Sequence, residues 1–341
     1  MKNRSHCRWI ALLAIAMLLV PSLALAAKIK WNFSIQGQRR AFTEGIETTK
    51  IVMEKADPDF ELNIVYGNAL SPAKQNLDGI KIGLFESAFV FAGYHPGKLP
   101  MTMVLELPFL LPGDHAIKNR IEVAIKEHPI IRDELKDRWN AKFFVNAFLP
   151  PYELMGNKRI ASVEDFKGVK VRLSGPNALL LKDFFGAVPT MVTAPEAYEA
   201  VDRGMIDVFG LPYTYALGAY RVYEVSKYTT EGLAMGGGSV LFVANIDAWN
   251  KLPKKLRDML PEIRRKNDAS LIAAYAEADK KWRPIFDKRL EIVPFPAAER
   301  AKIEAKAAGV WKNWEAENNA KGFPATEILN HAKAMVAKFS K

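Results

Sequence analysis

The chain has 341 residues, 49% of them apolar and 25% charged, and a formal net charge of +10. The basic residues are scattered, without a run of like charge or a basic-aromatic stripe, which indicates solvated helix faces and argues against nucleic-acid binding. With a single cysteine, Cys7, the chain cannot form an internal disulfide, and its length suits two domains better than one.

The start of the chain has the three parts of a secretory signal peptide, within residues 1–26. A short basic segment precedes an apolar run at residues 9–20, and residues 24–26 (ALA) form a small-x-small cleavage site. The apolar run is too short to span a bilayer comfortably, and a retained N-terminal anchor is the alternative. Cys7 lies before the apolar run, where it does not mark a lipid attachment site. We therefore expect a mature chain that starts at Ala27 in the periplasm and has no stable membrane insertion.

Strand and helix patterns alternate along most of the chain, and helices dominate its end. Apolar alternation or short buried runs predict strands at residues 28–34, 60–66, 84–92, 141–147, 152–157, 169–172, 205–211 and 239–244. Helical spacing predicts helices at residues 36–56, 72–82, 115–139 with a break near Pro129, 177–185, 193–204, 252–289 and 294–338. This order predicts an α/β protein with sheets in two lobes and a helical C-terminal region.

The middle of the chain places an arginine where a strand gives way to a loop. The strand predicted at residues 169–172 ends in Arg172, whose planar guanidinium can bind a carboxylate through two parallel hydrogen bonds. Residues 193–196 (TAPE) then match a capping box with a proline in the first turn, which predicts a helix start. The alternative role of Arg172 is an ion pair within the protein, with Glu153 or Asp207.

Signals of catalysis, metal binding and cofactor binding are absent from the sequence. There is no G-x-S-x-G, H-E-x-x-H or C-x-x-C motif, and the glycines at 236–238 precede a strand, which indicates a tight loop and not a phosphate-binding turn. The histidines after residue 26 are isolated in the sequence: His95, His115, His128 and His331. We therefore expect a binding protein without metal or cofactor. A secreted enzyme is the alternative, but it would need a nucleophile and a base that the sequence does not offer.

Several short motifs follow one another in a fixed order along the chain. They are residues 105–109 (LELPF), 159–172 (RIASVEDFKGVKVR), 186–189 (GAVP), 196–207 (EAYEAVDRGMID), Pro212, 223–228 (YEVSKY) and 252–253 (LP). In this order they resemble the solute receptors of tripartite ATP-independent periplasmic (TRAP) transporters, the DctP family. The resemblance extends over essentially the whole chain after residue 26.

The resemblance implies a two-lobed, type II periplasmic binding-protein fold, with a long helix that braces both lobes. On this basis we expect lobe I at residues 27–149 and 238–278, and lobe II, with the C-terminal helices, at residues 150–237 and 279–341. It also implies a monomer that binds an organic acid in the cleft and delivers it to a permease of two membrane subunits. In this family, the arginine at the position of Arg172 pairs with the ligand carboxylate.

Three positions differ from the sialic-acid receptors of the family and narrow the expected ligand. Tyr152 stands where those receptors have a second arginine, Leu211 where they have an asparagine, and Val90 where they have a glutamate. An apolar wall cannot pair a second charge, so the expected cleft has one charged anchor and apolar or aromatic walls. We therefore expect a monocarboxylate with an apolar or aromatic body. A dicarboxylate or keto acid is the alternative ligand.

Further side chains near the predicted strand ends complete the expected ligand-binding site. Besides Arg172, Tyr152 and Leu211, they are Tyr213, Tyr215, Phe33, Gln36, Asn68, Phe89 and Phe91. Phe89 and Phe91 lie on a buried strand, where a place in the hydrophobic core is an equal alternative. The sequence does not separate a receptor that serves a permease from one that serves a sensor kinase.

Overall fold

The structure is a computed structural model of the chain, and it describes residues 28–173 and 175–341. The signal peptide predicted at residues 1–26 lies outside the described residues. Within them, strands and helices build two β-sheets with helical layers around each. We name the part built on the first sheet lobe I and the part built on the second sheet lobe II.

The first sheet contains five strands. They are β1 (Ile29–Ser34), β2 (Phe60–Val65), β3 (Ser87–Phe91), β4 (Ala141–Val145) and β10 (Val240–Asn245). Their order is β2-β1-β3-β10-β4, with parallel pairing among the first three and antiparallel pairing of β10 with both neighbours. The central strands β3 and β10 are buried over their full length, which explains why both read as continuous apolar runs.

The second sheet contains six strands. They are β5 (Tyr152–Gly156), β6 (Lys170–Arg172), β7 (Val188–Pro189), β8 (Val208–Pro212), β9 (Tyr228–Glu231) and β11 (Glu291–Pro294), in the order β11-β9-β5-β8-β6-β7. The antiparallel pairing of β5 with β8 sets Tyr152 opposite Pro212, and the parallel pairing of β6 with β8 sets Arg172 beside Phe209. The start of β5 and the ends of β6 and β8 therefore share one edge of the sheet.

Helices cover both sheets and occupy the end of the chain. In chain order they are α1 (Glu44–Ala56), α2 (Asn76–Lys81), α3 (His115–Lys126), α4 (Pro129–Trp139), α5 (Gly175–Phe185), α6 (Ala197–Asp202), α7 (Tyr215–Ala219), α8 (Ile246–Lys251), α9 (Lys254–Asp258), α10 (Leu260–Arg289), α11 (Ala297–Ala320) and α12 (Ala325–Phe339). Among residues 28–173 and 175–341, none of these helices has both the length and the apolar composition that a membrane crossing requires.

The chain passes between the sheets twice before the C-terminal helices, at residues 146–151 and 232–239. The long helix α10 then packs against α1 in lobe I and α7 in lobe II, and leads directly into β11 of the second sheet. This arrangement confirms the predicted two-lobed α/β fold with a bracing helix. The lobe boundaries that we placed after residues 149 and 237 fall inside the two connections, and the one after residue 278 falls inside α10; these boundaries stay a prediction.

The last helix packs on lobe I, although we assigned residues 279–341 to lobe II. Its apolar residues Ile328, Leu329 and Ala332 join the same buried cluster as Ile121 and Ile125 of α3. The preceding helix α11 packs instead on α5 of lobe II. The C-terminal helices therefore connect the lobes. Ile303 and Val310 of α11 join the cluster that includes the core of lobe II, whereas Trp314 of the same helix joins the cluster of lobe I.

The helix predicted from residue 36 begins only at Glu44, after a short turn at Ala41–Thr43. Gly37 has a φ of +67°, in the left-handed region that glycine adopts without steric cost, so the chain leaves β1 in a loop. This loop carries Gln36 and Arg40 towards the second lobe, and it shapes the site described next.

Candidate ligand-binding site

A small cavity lies between the lobes, at the sheet edge where β5 begins and β6 and β8 end. Its lining from lobe I includes Gln36, Arg40, Phe42, Phe89, Phe91 and Tyr94. Its lining from lobe II includes Tyr152, Arg172, Leu211, Pro212, Tyr215 and Tyr220. The free volume is about 30 Å³, which is space for about two water molecules, so a larger solute requires the walls to move apart.

Arg172 ends β6 with a guanidinium group that is only 1% exposed. Its Nε donates to the Val192 carbonyl over 2.9 Å and its Nη1 to the Gly210 carbonyl over 3.3 Å. The Phe209 ring lies 4.7 Å from the guanidinium carbon. These contacts fix the orientation of the group, but all three partners are neutral.

The internal ion pair that was the alternative for Arg172 does not form. Glu153 accepts hydrogen bonds from Thr230 and from two backbone N–H groups, and Asp207 accepts one from the Lys170 backbone. Within the described ranges, Arg172 takes part in no ion pair with an N–O distance up to 4.0 Å. A buried guanidinium that no carboxylate contacts directly is unfavourable, so this position favours the binding of an anion.

Aromatic side chains form most of the remaining wall. Tyr152 is 1% exposed, and burial raises the pKa of its phenol well above its usual range, so the hydroxyl stays a neutral donor beside Arg172. Tyr215 stacks on Tyr275 of α10 with ring centres 5.0 Å apart. Phe89 and Phe91 are almost fully buried and line the cavity as well, so their core and cleft positions are not exclusive.

The structure places three of the predicted site residues away from this lining. Phe33 is fully buried in the core of lobe I, with its ring centre 4.9 Å from that of Phe242. Tyr213 follows the end of β8 and faces α10, where it packs 5.6 Å from Phe286. Asn68 lies in a turn with a φ of +64° after β2. For Tyr213 and Asn68 the turn after the strand, which has no periodic pattern, sets the direction of the side chain, whereas Phe33 lies within β1 and faces the core.

Val90, which we compared with a glutamate of the family, points away from the cavity, because side chains alternate between the two faces of β3. Val90 belongs to the apolar cluster on the far side of the first sheet, whereas Phe89 and Phe91 belong to the cluster that contains the cavity wall. Successive side chains of a strand point to opposite faces. Val90 therefore carries no information about the polarity of the cavity.

The described lining contains three polar side chains that were not predicted from the sequence: Arg40, Tyr94 and Tyr220. The Nη1 of Arg40 donates to the carbonyls of Gln36 and Gln38, and its guanidinium carbon lies 5.0 Å from the Phe42 ring centre and 5.3 Å from that of Tyr220. Arg40 lies in the loop that we predicted as helix, and Tyr220 ends a helix that we did not predict. The one sequence feature that could have pointed to Arg40 as a lining residue is its basic side chain in a glycine-containing segment after a strand.

Two hydrogen bonds connect the lobes next to the cavity. The Tyr94 hydroxyl of lobe I accepts from the Ala194 backbone N–H of lobe II over 2.9 Å. The Asn177 side chain of α5 donates to the Glu106 carbonyl of lobe I over 3.1 Å. Opening of the cleft must break such contacts, so they stabilise the arrangement in which both lobes touch the site.

In the described part of the chain, no group of three or more His, Cys, Asp or Glu side chains is placed to hold a metal ion. The histidines are less isolated in space than in sequence, because the rings of His128 and His331 lie 4.2 Å apart. This pair joins the start of α4 to α12 and lies outside the lining of the cavity.

Two lobes around a cavity with a buried cation define a solute-binding protein. Residues 47–318 match the family described as DctP, bacterial extracellular solute-binding protein, family 7. The match covers more than half of the chain, which therefore belongs to this family, and our prediction of the family is confirmed. The family is one of solute-binding proteins of transporters, not of enzymes.

Known relatives are distant in sequence. A solute-binding protein of Verminephrobacter eiseniae is 26% identical over 210 residues, 60% of each chain. A monocarboxylate 2-oxoacid-binding periplasmic protein of Nostoc sp. is 25% identical over 239 residues, 68% of this chain and 64% of the relative. The chain thus matches less than two thirds of the length of these curated relatives.

Solved structures match over almost their whole length. A marine metagenome TRAP solute binding protein specific for aromatic acid ligands has a TM-score of 0.79 at 20% identity, over 92% of this chain and 100% of that one. A TRAP solute binding protein from Rhodoferax ferrireducens has a TM-score of 0.76 at 22% identity, over 92% and 98%. At this identity the likeness establishes the two-lobed fold.

Proposed function

We propose that this chain is a periplasmic receptor of a TRAP transporter that binds a monocarboxylate with an apolar or aromatic body in the cavity between its lobes. The observation that carries the proposal is the buried guanidinium of Arg172, which lines the cavity and has no ion pair among the described residues. A carboxylate would supply the counter-charge through a bidentate pair. The aromatic walls would accept an apolar body.

The names of several relatives support the choice of ligand class. One matched structure is described as specific for aromatic acid ligands, one contains benzoate and one from Bordetella bronchiseptica contains mandelate. The Nostoc relative is named for monocarboxylate 2-oxoacids. A more distant relative from Rhodobacter capsulatus is named for C4-dicarboxylates, so a dicarboxylate is the contrasting class in any test.

The proposal includes export and delivery. Residues 1–26 would direct the chain to the periplasm, and cleavage would leave Ala27 at the mature N-terminus. The closed receptor would then pass its ligand to a permease of two membrane subunits, with a sensor kinase as the alternative partner. Mass spectrometry of the exported protein tests the first point, since an intact Met1 in a membrane fraction would contradict it. Adjacent genes for a pair of membrane subunits would favour transport.

A thermal-shift screen followed by calorimetric titration tests the ligand class. The panel would contain benzoate, mandelate and 2-oxo acids, with succinate and sialic acid as contrasts. A ligand that binds only the native state stabilises it by about 2.7 kcal/mol at a hundredfold excess over its dissociation constant, which raises the melting temperature measurably. We expect the aromatic monocarboxylates to give the largest shifts. A clear preference for succinate or sialic acid would contradict the proposal.

A further inference from the structure

A second guanidinium, that of Arg40, reaches the cavity from lobe I, whereas Arg172 reaches it from lobe II. The loop after β1 directs it there, and the carbonyls of Gln36 and Gln38 hold its Nη1 at 3.0 and 2.7 Å. The guanidinium carbon lies 5.0 Å from the ring centre of Phe42 and 5.3 Å from that of Tyr220. The position of this cation is therefore fixed by both lobes.

Three buried polar atoms at this position lack hydrogen-bond partners in the described part of the chain. Its Nε and the Oε1 of Gln36 are buried and form no hydrogen bond with any described residue. The Tyr220 hydroxyl, which lies against the same guanidinium, also lacks a well-aligned hydrogen bond. None of the described residues that line the cavity is an aspartate or a glutamate.

A wholly apolar ligand body would leave these atoms unpaired, which is unfavourable for buried polar groups. An oxygen on the ligand would accept from the Arg40 Nε and from the Tyr220 hydroxyl. A hydroxyl on the ligand could in addition donate to the Gln36 side chain. Sites that are built to bond a substrate oxygen discriminate strongly against analogues that lack it.

We propose that Arg40, Gln36 and Tyr220 form a second polar subsite, which takes an acceptor oxygen that the ligand carries besides its anchored carboxylate. The chemical class is a hydroxyl, oxo or second carboxylate oxygen on the organic acid. This inference rests on the proposed function, because it presumes that Arg172 holds the first carboxylate. It predicts that an unsubstituted acid such as benzoate is not the preferred ligand.

The test compares benzoate with the three isomeric hydroxybenzoates and the three benzenedicarboxylates by calorimetric titration. For the wild type we expect the best oxygenated acid to bind at least about tenfold more tightly than benzoate. In Arg40→Met this ratio should fall to within about threefold of one, because the donor and the charge are lost at similar side-chain length. Whether the hydroxyl or the dicarboxylate series contains the best ligand identifies the oxygen that the subsite takes, and a dicarboxylate as the best ligand would support the subsite but overturn the monocarboxylate class proposed above.

Arg39→Met is the matched control, because Arg39 is the exposed neighbour of Arg40 and pairs with Glu44 outside the cavity. It should keep the wild-type ratio. Arg40→Lys retains the charge but not the planar donor set, and should give an intermediate ratio even where Arg40→Met folds poorly. Thermal unfolding of each variant checks the fold.

The possible failures are distinguishable. If the wild type binds the acids with a ratio near one, or if folded Arg40→Met and Arg40→Lys keep the wild-type ratio, the subsite is disproved and the receptor function stands. If the wild type binds none of these acids and none of the mandelate and 2-oxo acids of the thermal-shift panel, the proposed function fails and the subsite fails with it.

Discussion

Arg172 is the residue whose environment most strongly requires a ligand. We expect Arg172→Ala to weaken binding of the preferred carboxylate by at least about thirtyfold. Removing one partner of a buried, hydrogen-bonded charge pair costs about 2–5 kcal/mol, and each 1.4 kcal/mol is about a factor of ten. Arg172→Lys should recover only part of the affinity, since one ammonium cannot reproduce the planar fork. Calorimetric titration measures both.

Arg203→Ala is a suitable control for this prediction. Arg203 follows α6 in the same lobe, but its side chain is 72% exposed and pairs with Glu199. An exposed pair of this kind contributes about 1 kcal/mol or less, so neither fold nor affinity should change much. A folded Arg172→Ala protein with nearly wild-type affinity would show that the carboxylate binds elsewhere.

The burial of His95 predicts that the free energy of unfolding falls at acidic pH. The residue is 3% exposed; burial, and secondarily the nearby Lys98 ammonium, lowers the pKa of its imidazole to about 4, while Asp78 opposes the shift. The unfolded chain, with a histidine pKa of about 6.5, therefore binds a proton between these values that the folded chain does not. The free energy of unfolding must fall as the pH drops through this range, by on the order of 2 kcal/mol from pH 7 to pH 5.

Urea unfolding at pH 7 and pH 5 checks the histidine prediction. His95→Gln should lose less stability than the wild type between the two pH values, because it removes the proton difference. His115 and His128 also have lowered pKa values through burial, so the wild-type slope contains their contributions and only the difference between the two slopes is informative. Parallel curves for the two proteins would contradict a buried neutral His95.

At the scale of elements, periodicity and capping motifs correctly predicted helix starts and breaks, which depend on local sequence. The break of the helix near Pro129 occurs as predicted, with His128 at the N-cap and Pro129 in the first turn of α4. The capping box also forms, with the Glu196 carboxylate accepting from the backbone and hydroxyl of Thr193. The two outer strands on one side of the second sheet were not predicted: β9 (YTTE) lacks an apolar run, and its partner β11, the edge strand, has only one buried residue.

The cavity was less predictable than the fold, for a physical reason. Arg172 could be found because a strand of known alternation places it at a sheet edge. Arg40 and Tyr220 reach the same cavity through a left-handed glycine turn and a five-residue helix, α7, and such turns have no periodic signal. The sequence therefore predicted one charged anchor, whereas the lining contains two arginines from opposite lobes.

The bracing helix α10 supports the cavity wall through Tyr275. Its hydroxyl donates to the Phe148 carbonyl over 2.5 Å, and its ring stacks on that of Tyr215. Tyr275→Phe keeps the ring and leaves a buried carbonyl unpaired, so we expect a loss of about 1–3 kcal/mol in the free energy of unfolding. Urea denaturation measures this loss.

Tyr198→Phe is the matched control for the helix prediction. Tyr198 is only partly buried, at the start of the short helix α6, and should change stability by less than about 0.5 kcal/mol. Equal losses in the two variants would mean that the Tyr275 hydroxyl contributes nothing specific. Because the stacked ring remains, ligand affinity in Tyr275→Phe should fall by less than it does in Arg172→Ala.

At the scale of the whole molecule, the small cavity and the contacts between lobes imply hinged closure. A free volume of about 30 Å³ is too small for an aromatic acid, so the cavity walls must move apart for one to enter. The connections at residues 146–151 and 232–239 are where we expect the hinge, since the two sheets are otherwise continuous units. Saturating ligand should therefore reduce the radius of gyration in solution scattering. An unchanged radius, from a free protein that is more expanded than the present structure, would contradict hinged closure.

Closure can be opposed without touching the ligand directly. Gly37 and Gly204 have similar left-handed φ values of +67° and +64°, so alanine at either position incurs a similar backbone strain of about 1 kcal/mol. A Cβ on Gly37 would lie 2.8 Å from the Tyr220 hydroxyl of lobe II, whereas a Cβ on Gly204 meets nothing within 4 Å. The Gly37 methyl group would also lie 3.1 Å from the Nη1 of Arg40, so the two variants differ in whether the added group presses on the contact between Arg40 and Tyr220.

We expect Gly37→Ala to weaken ligand binding by about five- to tenfold, because part of the binding free energy must separate Tyr220 from the new methyl group, at a cost of about 1–1.4 kcal/mol. Its radius of gyration without ligand should exceed that of the wild type. Gly204→Ala should lose a similar amount of stability to unfolding but bind within about twofold of the wild type. Calorimetry and solution scattering on both variants measure these effects. If Gly204→Ala weakens binding as much as Gly37→Ala, the loss comes from backbone strain, and the contact of Gly37 with Tyr220 does not control closure.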